Sequence, residues 1–525
     1  MSTLAGGVTS RFPEELWLEI VHQAPQESLL RISLVDRALR RISSPFLFSR
    51  FTLHPYNLGP YGNRSYEERE VFALDEATQN REMEHLNFRC SAEIAPLVRL
   101  VNIAPLDEPK RAKGTDSPSA LINLFFLRIP AFIHLATFRA YNLIFTHIAL
   151  RNLCTLPALT QLEVVACVVT GWVDEPNFNL HQLITARLGP SPRASSPLDP
   201  WIRLIDADHL VDLSLTIPAD FWATIAQYIP TFPCLTRLEL LSRKCPSLPI
   251  STLVSLLVKF PSVTDLSLGG NWYFSYQAQY CDVLPSIQRF FGTFEFLPLI
   301  IGRPTLTRIG SSCPGSYWLQ RVSAMDTESN VTSLTLYSYP LDLAEFCLLS
   351  KVFPALTCLD LEFEHDSGHG SSFSEITSFL RGFILSPPVS PCLDSLRITW
   401  DRQNWDEMLS SEEEDEAEVD ESESEDEDDE EEDEEDDELE NHIDRDETKT
   451  SSRKHARLTK AEAVAGLRLL MAKFSALRSL QIEGHAFLFH ALRRSDGTIE
   501  ENIAVTACDF NRFYNGDDSD ASDEE

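Results

Sequence analysis

Apolar residues recur along most of the chain with one spacing: an apolar residue, two others, an apolar residue, one other and a third apolar residue. Because alternate side chains of a strand share a face, each copy predicts a short strand with one apolar face. The best-spaced copies follow one another at 24 to 28 residues, and larger gaps leave room for degenerate copies or inserted loops. The eleven copies begin at Val98, Leu135, Leu159, Leu210, Leu235, Val263, Leu306 (a partial copy), Val331, Leu356, Leu393 and Leu477.

A helix is predicted between successive strands, as where Phe221, Ile225 and Ile229 keep helical spacing before Phe232-Pro233. One such unit cannot bury its own apolar face, but stacked neighbours can. The period and the phrase resemble leucine-rich repeats, whose period is about 20–29 residues. The resemblance implies an irregular α/β solenoid, with parallel strands on the concave face and helices outside. Leucines at central positions of the phrase are then expected to be fully buried, namely Leu238, Leu266 and Leu359.

A doubly wound α/β enzyme is the alternative that also alternates strands and helices. It is disfavoured because no glycine-rich phosphate loop follows a strand and no nucleophile elbow or Walker sequence occurs. The repeat phrase also returns too regularly for such a fold. We therefore expect a protein without enzymatic activity, cofactor or bound metal.

Residues 11–50 have a different pattern. Pro13 suits the first position of a helix, and an apolar stripe of Leu16, Trp17, Ile20 and Val21 follows it. Pro25 is expected to end that helix. A second apolar run begins at Glu27-Ser28 and is expected to end at Pro45.

These residues resemble the F-box motif. The resemblance rests on Phe12-Pro13, Glu15-Leu16, Ile20, Leu29-Leu30 and Leu34-Val35-Asp36-Arg37. Phe12 and Asp36 depart from the usual residues of that family, and Asp36 is expected to weaken one contact. The resemblance implies docking to a Skp-type adaptor and, through it, to a cullin. The adaptor-binding residues it implies are Phe12, Pro13, Leu16, Ile20, Leu29, Leu30 and Val35. The simpler alternative is a small helical cap on the repeats.

Charge is distributed very unevenly. Residues 412–440 hold 24 acidic side chains and no basic ones. Without them the net charge of the chain would be −12 instead of −36. Such a density of like charge is expected to be disordered. Because a repeat phrase follows at Leu477, the acidic run is predicted to be an insertion between repeats. No generally basic surface is expected, which disfavours nucleic-acid binding.

Eleven cysteines without paired spacing are best explained as buried free thiols in a reducing compartment. The N-terminus has no signal-peptide pattern, and no apolar stretch approaches the roughly 20 residues that span a bilayer. A cytoplasmic or nuclear protein that does not engage membranes is expected. His365 and His369 have ligand-like spacing, but the glycines and serines around them favour a solvated loop.

Two functions remain open. The first is a substrate-recognition subunit of a Skp–cullin–F-box ubiquitin ligase, whose repeats hold an unidentified target protein for ubiquitin-dependent degradation. The second is an acidic leucine-rich-repeat chaperone or scaffold for basic nuclear proteins such as histones. The predicted segments are a disordered tail at 1–10, the F-box at 11–55, a linker at 56–85, repeats at 86–405, the acidic disordered insertion at 406–458, a final repeat at 459–495 and an acidic tail at 496–525.

Overall fold

The fold is seen in a computed structural model. It describes residues 13–58, 71–106, 119–171, 179–190, 199–217, 221–242, 247–269, 273–275, 283–312, 323, 329–337, 343–363, 392–400, 468–484 and 487–505. Five of the sequence predictions fall outside these ranges: the tail at 1–10, Phe12, the acidic insertion, the loop with His365 and His369, and the last twenty residues. The described residues belong to two compact units, which divide near Ser311 and Val331.

The first unit begins with three helices: α1 (Glu14–Gln23), α2 (Gln26–Ser33) and α3 (Arg37–Leu47). The apolar run predicted to continue from Glu27 to Pro45 is therefore split. Asp36 starts α3, because its carboxylate accepts a hydrogen bond from the Leu39 N–H at 2.8 Å. Pro45 does not end the helix as predicted but lies inside it, since the following Phe46 and Leu47 pack on the core of this unit.

Ten parallel strands follow in the first unit. Each pairs with the next in the order given, and Leu238, for example, is the Cα partner of both Leu213 and Leu266. They are β1 (Arg50–Leu53), β4 (Leu100–Ile103), β5 (Thr137–Tyr141), β7 (Gln161–Thr170), β8 (Thr185–Pro190), β9 (Asp212–Ile217), β10 (Arg237–Ser242), β12 (Asp265–Gly269), β14 (Arg289–Phe291) and β15 (Arg308–Ser312).

Short strands border this sheet. β2 (Tyr56–Leu58) pairs antiparallel with β3 (Val71–Ala73), β6 (Ile144–Thr146) pairs parallel with β7, and β11 (Ser247–Pro249) pairs parallel with β13 (Tyr273–Ser275). Connecting segments of the first unit contain six further helices and a short seventh one: α4 (Glu76–Arg89), α5 (Ser119–Arg128), α6 (His147–Cys154), α7 (Asp199–Leu204), α8 (Trp222–Tyr228), α9 (Ile250–Leu257) and α10 (Leu297–Ile300).

The second unit, described by itself, has four parallel strands: β16 (Ser333–Tyr337), β17 (Cys358–Phe363), β18 (Ser395–Trp400) and β19 (Ser479–Gly484). The helix α11 (Leu343–Val352) connects the first two of them. Two antiparallel strands complete the unit, β20 (Phe487–Arg493) and β21 (Ile499–Val505).

The repeat pattern is confirmed in both units. All eleven predicted phrases lead into parallel strands, and Leu238, Leu266 and Leu359 are buried as expected. Three further strands were not predicted: β8 and β14 occupy larger gaps of the pattern, and β1 precedes its first copy. A parallel strand and a helix repeating at this period form the leucine-rich-repeat architecture.

Two segment boundaries differ from the prediction. The sheet already starts at Arg50, and the stretch expected to be a linker, 56–85, contains β2, β3 and most of α4, held by the buried Tyr56, Leu74 and Leu86. At the other end, the expected acidic tail begins inside a hairpin, because Ile499–Val505 pairs with Phe487–Arg493. Among the described residues, no helix is both long and apolar enough to cross a bilayer.

Candidate docking surface and strand face

The three N-terminal helices share a small core. Val21, Leu29 and Ile42 are buried together, and Trp17, Ala24, Ile32, Phe46 and Leu47 pack against them. Each helix thus contributes one buried apolar side chain, and these side chains hold the three helices together. A core of this size leaves many apolar side chains of the unit outside it.

Several of the predicted adaptor-binding residues are on the surface. Pro13 is exposed at the start of α1, where it precedes the helix as its cap residue. Leu29 differs, because its side chain belongs to the core. The other apolar residues of the motif are exposed to the following extents: Leu16 51%, Ile20 47%, Leu30 58%, Leu34 80% and Val35 62%. We call these five residues the docking surface.

The docking surface follows from helix geometry. Leu16 and Ile20 are four residues apart on α1, so they occupy one face, whereas Trp17 and Val21 turn towards the core. Leu30 and Leu34 are also four residues apart, with Leu34 at the C-cap of α2. Leu34 was part of the motif but not of the predicted contact set. Its spacing of four residues from Leu30 is the sequence signal by which Leu34 could have been included.

A pocket of about 580 Å³ adjoins this surface, where α2 and α3 meet the end of α4. Its walls combine apolar side chains with two arginines and one glutamate. The lining residues are Gln26, Glu27, Leu30, Ser33, Leu34, Arg40, Ser44, Leu47, Phe48 and Arg89. Arg89 was not foreseen, because it comes from a helix at a predicted segment boundary.

The charges near the docking surface are mixed: α1 carries Glu14, Glu15 and Glu19, whereas the arginines lie on α2 and α3. Arg41 pairs with Glu14 at 3.1 Å, but both side chains are exposed, so this pair contributes little to stability. Arg31, Arg37 and Arg40 have no ion pair with any described residue. The surface therefore presents apolar side chains beside charged ones, among them three arginines without a described ion pair.

The outward face of the strands is a second candidate surface, and it is largely self-paired. Glu163 on β7 lies between Arg139 (3.1 Å) and Arg187 (3.6 Å), on the two neighbouring strands. Arg187 reaches on to Glu239 at 3.5 Å, and the Ser214 hydroxyl donates to the same carboxylate at 2.7 Å. Opposite charges thus alternate over β5, β7 and β8, and Ser214 of β9 lies between Arg187 and Glu239.

One tyrosine and one aspartate on this face have pKa values that partial burial raises. The Tyr141 hydroxyl donates to Glu163 at 3.0 Å, and burial together with that negative charge raises the pKa of Tyr141 to about 12. Burial likewise raises the pKa of Asp212 above its usual value, although Arg237 opposes the shift at 3.8 Å. The face is therefore a mixed, hydrogen-bonded surface without one dominant charge.

One aromatic side chain lies on the same strand face as these charged residues. Phe291 on β14 is partly exposed, and its ring lies across Gly310 of β15, where an added Cβ would be 2.7 Å from the ring. A threonine just before a strand can donate a hydrogen bond to the preceding repeat. The Thr264 hydroxyl, for example, donates to the Thr236 carbonyl at 3.2 Å.

Other candidate chemistry is limited. Within the described ranges, no group of three His, Cys, Asp or Glu side chains could hold a metal ion. None of the six cysteines whose side chains the structure describes is in a disulfide, and burial raises the pKa of the Cys154 and Cys167 thiols to about 12. Cys234 and Cys392 are exposed, contrary to the expectation of buried thiols.

Comparison with known proteins adds little beyond the fold. No protein-family profile and no curated protein matches the chain. A chain of the yeast Rad7–Elc1 complex is 12% identical, with a TM-score of 0.31 over 74% of this chain and 90% of that one. The plant peptide-hormone receptor RGFR1 bound to RGF2 is 12% identical, with a TM-score of 0.25 over 59% and 50%.

A third similarity is to the leucine-rich-repeat ectodomain of the Arabidopsis thaliana receptor kinase GASSHO1/SCHENGEN3. That chain is 12% identical, with a TM-score of 0.17 over 59% of this chain and 31% of its own length. TM-scores of this size carry no functional argument. The leucine-rich-repeat architecture rests instead on the register of this chain's own strands.

Proposed function

We propose that the protein is a substrate receptor of a Skp–cullin–F-box ubiquitin ligase, without catalytic activity of its own. One observation carries the proposal: the helical unit exposes five apolar residues of the F-box-like motif, although its core is complete without them. Isolated exposed leucines are ordinary, but five within twenty residues of three short helices are typical of an interaction surface.

In this proposal the N-terminal helices and the strand face have separate tasks. The docking surface binds a Skp-type adaptor by burying Leu16, Ile20, Leu30, Leu34 and Val35 against apolar side chains of the partner. The adaptor links the chain to a cullin. The strand face holds a target protein, and the complex works in the cytoplasm or nucleus.

The test is affinity purification of the tagged full-length chain from cells, followed by identification of the bound proteins. We expect the unaltered chain to recover an adaptor and a cullin, and the double variant Pro13→Ala/Leu16→Ala to lose both. A matched control alters Leu127, an exposed leucine of α5 away from the motif, to Ala. Undiminished adaptor recovery by the double variant would overturn the proposal.

The charge of the chain supports a second candidate, a chaperone for basic nuclear proteins. The 24 acidic residues of 412–440, with no base among them, would attract histones. This function needs no docking surface on the N-terminal helices. Deletion of the acidic run separates the two candidates.

A further inference from the structure

We propose that the pocket between α2, α3 and α4 is a carboxylate-binding subsite of the docking surface. Its occupant is an acidic, amphipathic helix of the adaptor, which places an Asp or Glu side chain against Arg89 and Arg40 and apolar side chains against Leu30 and Leu34. This inference rests on the proposed function, and it extends the interface from the F-box-like helices to the first helix of the repeats.

The environment of Arg89 is the first argument. Its guanidinium lies over the Phe48 ring at 5.3 Å and the Phe51 ring at 5.8 Å, while its Nε donates to His85 at 3.3 Å. Its Nη1 is buried and has no acceptor among the described residues. Burial lowers the pKa of Arg89, which shows the cost of holding this charge away from water.

Charge balance is the second argument. Three ionisable side chains line the pocket: Arg40, Arg89 and Glu27. None of them forms an ion pair with another described residue, so the pocket carries a net positive charge. A carboxylate that enters would meet two guanidinium groups in a partly desolvated site, where charge-assisted hydrogen bonds are strong.

The apolar walls indicate the rest of the occupant. Leu30 and Leu34 form a ridge one helical turn long, and Leu47 with Phe48 lies on the side of α3. Helices that bind in grooves present apolar anchors at the same i, i+4 spacing. An acidic residue flanked by apolar ones on one face of a helix matches both features.

The experiment measures the dissociation constant of the full-length chain for a purified Skp-type adaptor at low and at physiological salt. Arg89→Met keeps an apolar stem over the two phenylalanines but removes the charge. We expect it to weaken binding about tenfold or more and to reduce the dependence of binding on salt. Glu27→Gln removes the only carboxylate of the pocket and is expected to tighten binding several-fold.

Arg151→Met is the matched control, because Arg151 is an exposed arginine of α6 that does not line the pocket. We expect it to bind like the unaltered chain, and thermal melting checks that all three variants are folded. A purely structural role of Arg89 would lower the melting temperature without changing the salt dependence, and it would leave Glu27→Gln without effect. That result would overturn the inference.

The opposite signs of the two pocket variants make the outcome specific. Tighter binding by Arg89→Met and weaker binding by Glu27→Gln would show a basic occupant and would also overturn the inference. If the unaltered chain binds the adaptor and the two variants match it, only the inference falls. If the unaltered chain does not bind the adaptor at all, the proposed function falls with it.

Discussion

Leu29 and Leu30 are consecutive on α2, yet Leu29 packs on Val21 and Ile42 whereas Leu30 lines the pocket with more than half of its side chain exposed. Truncating Leu29 to Ala should therefore cost about 2 kcal/mol or more in the free energy of unfolding of this unit, through lost burial and a cavity. Leu30→Ala should change it by less than about 0.5 kcal/mol. Chemical denaturation of both variants measures the difference, and equal losses would contradict the described burial.

Asp36 provides a second stability test, because its side chain caps α3 through the Leu39 N–H. Asp36→Ala should destabilise the N-terminal unit by about 1 kcal/mol, and Asp36→Asn should recover most of that loss, since Asn is an equally good cap. The helical signal and the unfolding midpoint of the two variants are compared. If Ala and Asn behave alike, the cap does not stabilise the helix.

The repeats were predictable where leucine or valine occupied the phrase. The three unpredicted strands show where the pattern fails: β8 has Ala186 at the central position, β1 precedes the first copy, and the phrase at β14 ends at Gly292. Gly292 has a φ of +157°, and a Cβ there would lie 2.9 Å from the Leu268 Cβ. No apolar side chain is possible at that position, so the pattern breaks where the packing requires glycine.

The C-terminal hairpin was missed although the chain contains a strong turn signal. Asp496-Gly497 joins β20 to β21, Gly497 has a φ of +85°, and the Asp496 carboxylate accepts from the Thr498 N–H at 2.9 Å. Within the segment predicted to be an acidic tail, Glu500 and Glu501 pair with Arg494 and Arg468. The docking residues could likewise be predicted only in part. The motif identified them, but the burial of Leu29 depends on tertiary packing that the sequence does not show.

The second unit allows a test by pH. Burial, opposed by Arg397 and by a hydrogen bond with Thr335, raises the pKa of Asp360 above its usual value of 3.8. A folded state that holds this proton more tightly than the unfolded state loses stability as the pH rises from about 3 through the raised pKa. Asp360→Asn removes that loss, so its stability relative to the unaltered chain should increase with pH until Asp360 is ionised.

Asp496 is the matched contrast, because hydrogen bonds from Thr498 lower its pKa. Here the stabilisation is present above pH 3.8 and is lost as the pH falls through the lowered value. Asp496→Asn should therefore be less stable than the unaltered chain at pH 7, and the difference should shrink towards pH 3. Parallel trends for the two variants would contradict these assignments.

The acidic run can be deleted to separate the two candidate functions. Ser395 on β18 and Ser479 on β19 are Cα partners, although residues 412–440 lie between them in the chain. Replacing 412–440 by a short Gly/Ser linker should leave the unfolding midpoint unchanged or slightly higher, because loop closure costs only ~0.6 kcal/mol per doubling of length.

Binding measurements on the intact chain and the deletion variant complete that test. Adaptor binding should survive the deletion, whereas any histone binding should fall sharply and should already weaken in the intact chain at higher salt. Histone binding that resists salt, with no adaptor bound by either protein, would favour the chaperone.

The most direct measurement of the central claim is the dissociation constant between the purified full-length chain and a purified Skp-type adaptor. The double variant Leu34→Gln/Val35→Gln removes the most exposed part of the docking surface, and Leu127→Gln/Ile148→Gln alters two apolar residues elsewhere that are also more than half exposed. We predict that the unaltered chain and the control bind with the same affinity, and that the first variant, still folded by circular dichroism, binds about 100-fold more weakly. Failure of the unaltered chain to bind, or equal binding by all three proteins, would contradict the account.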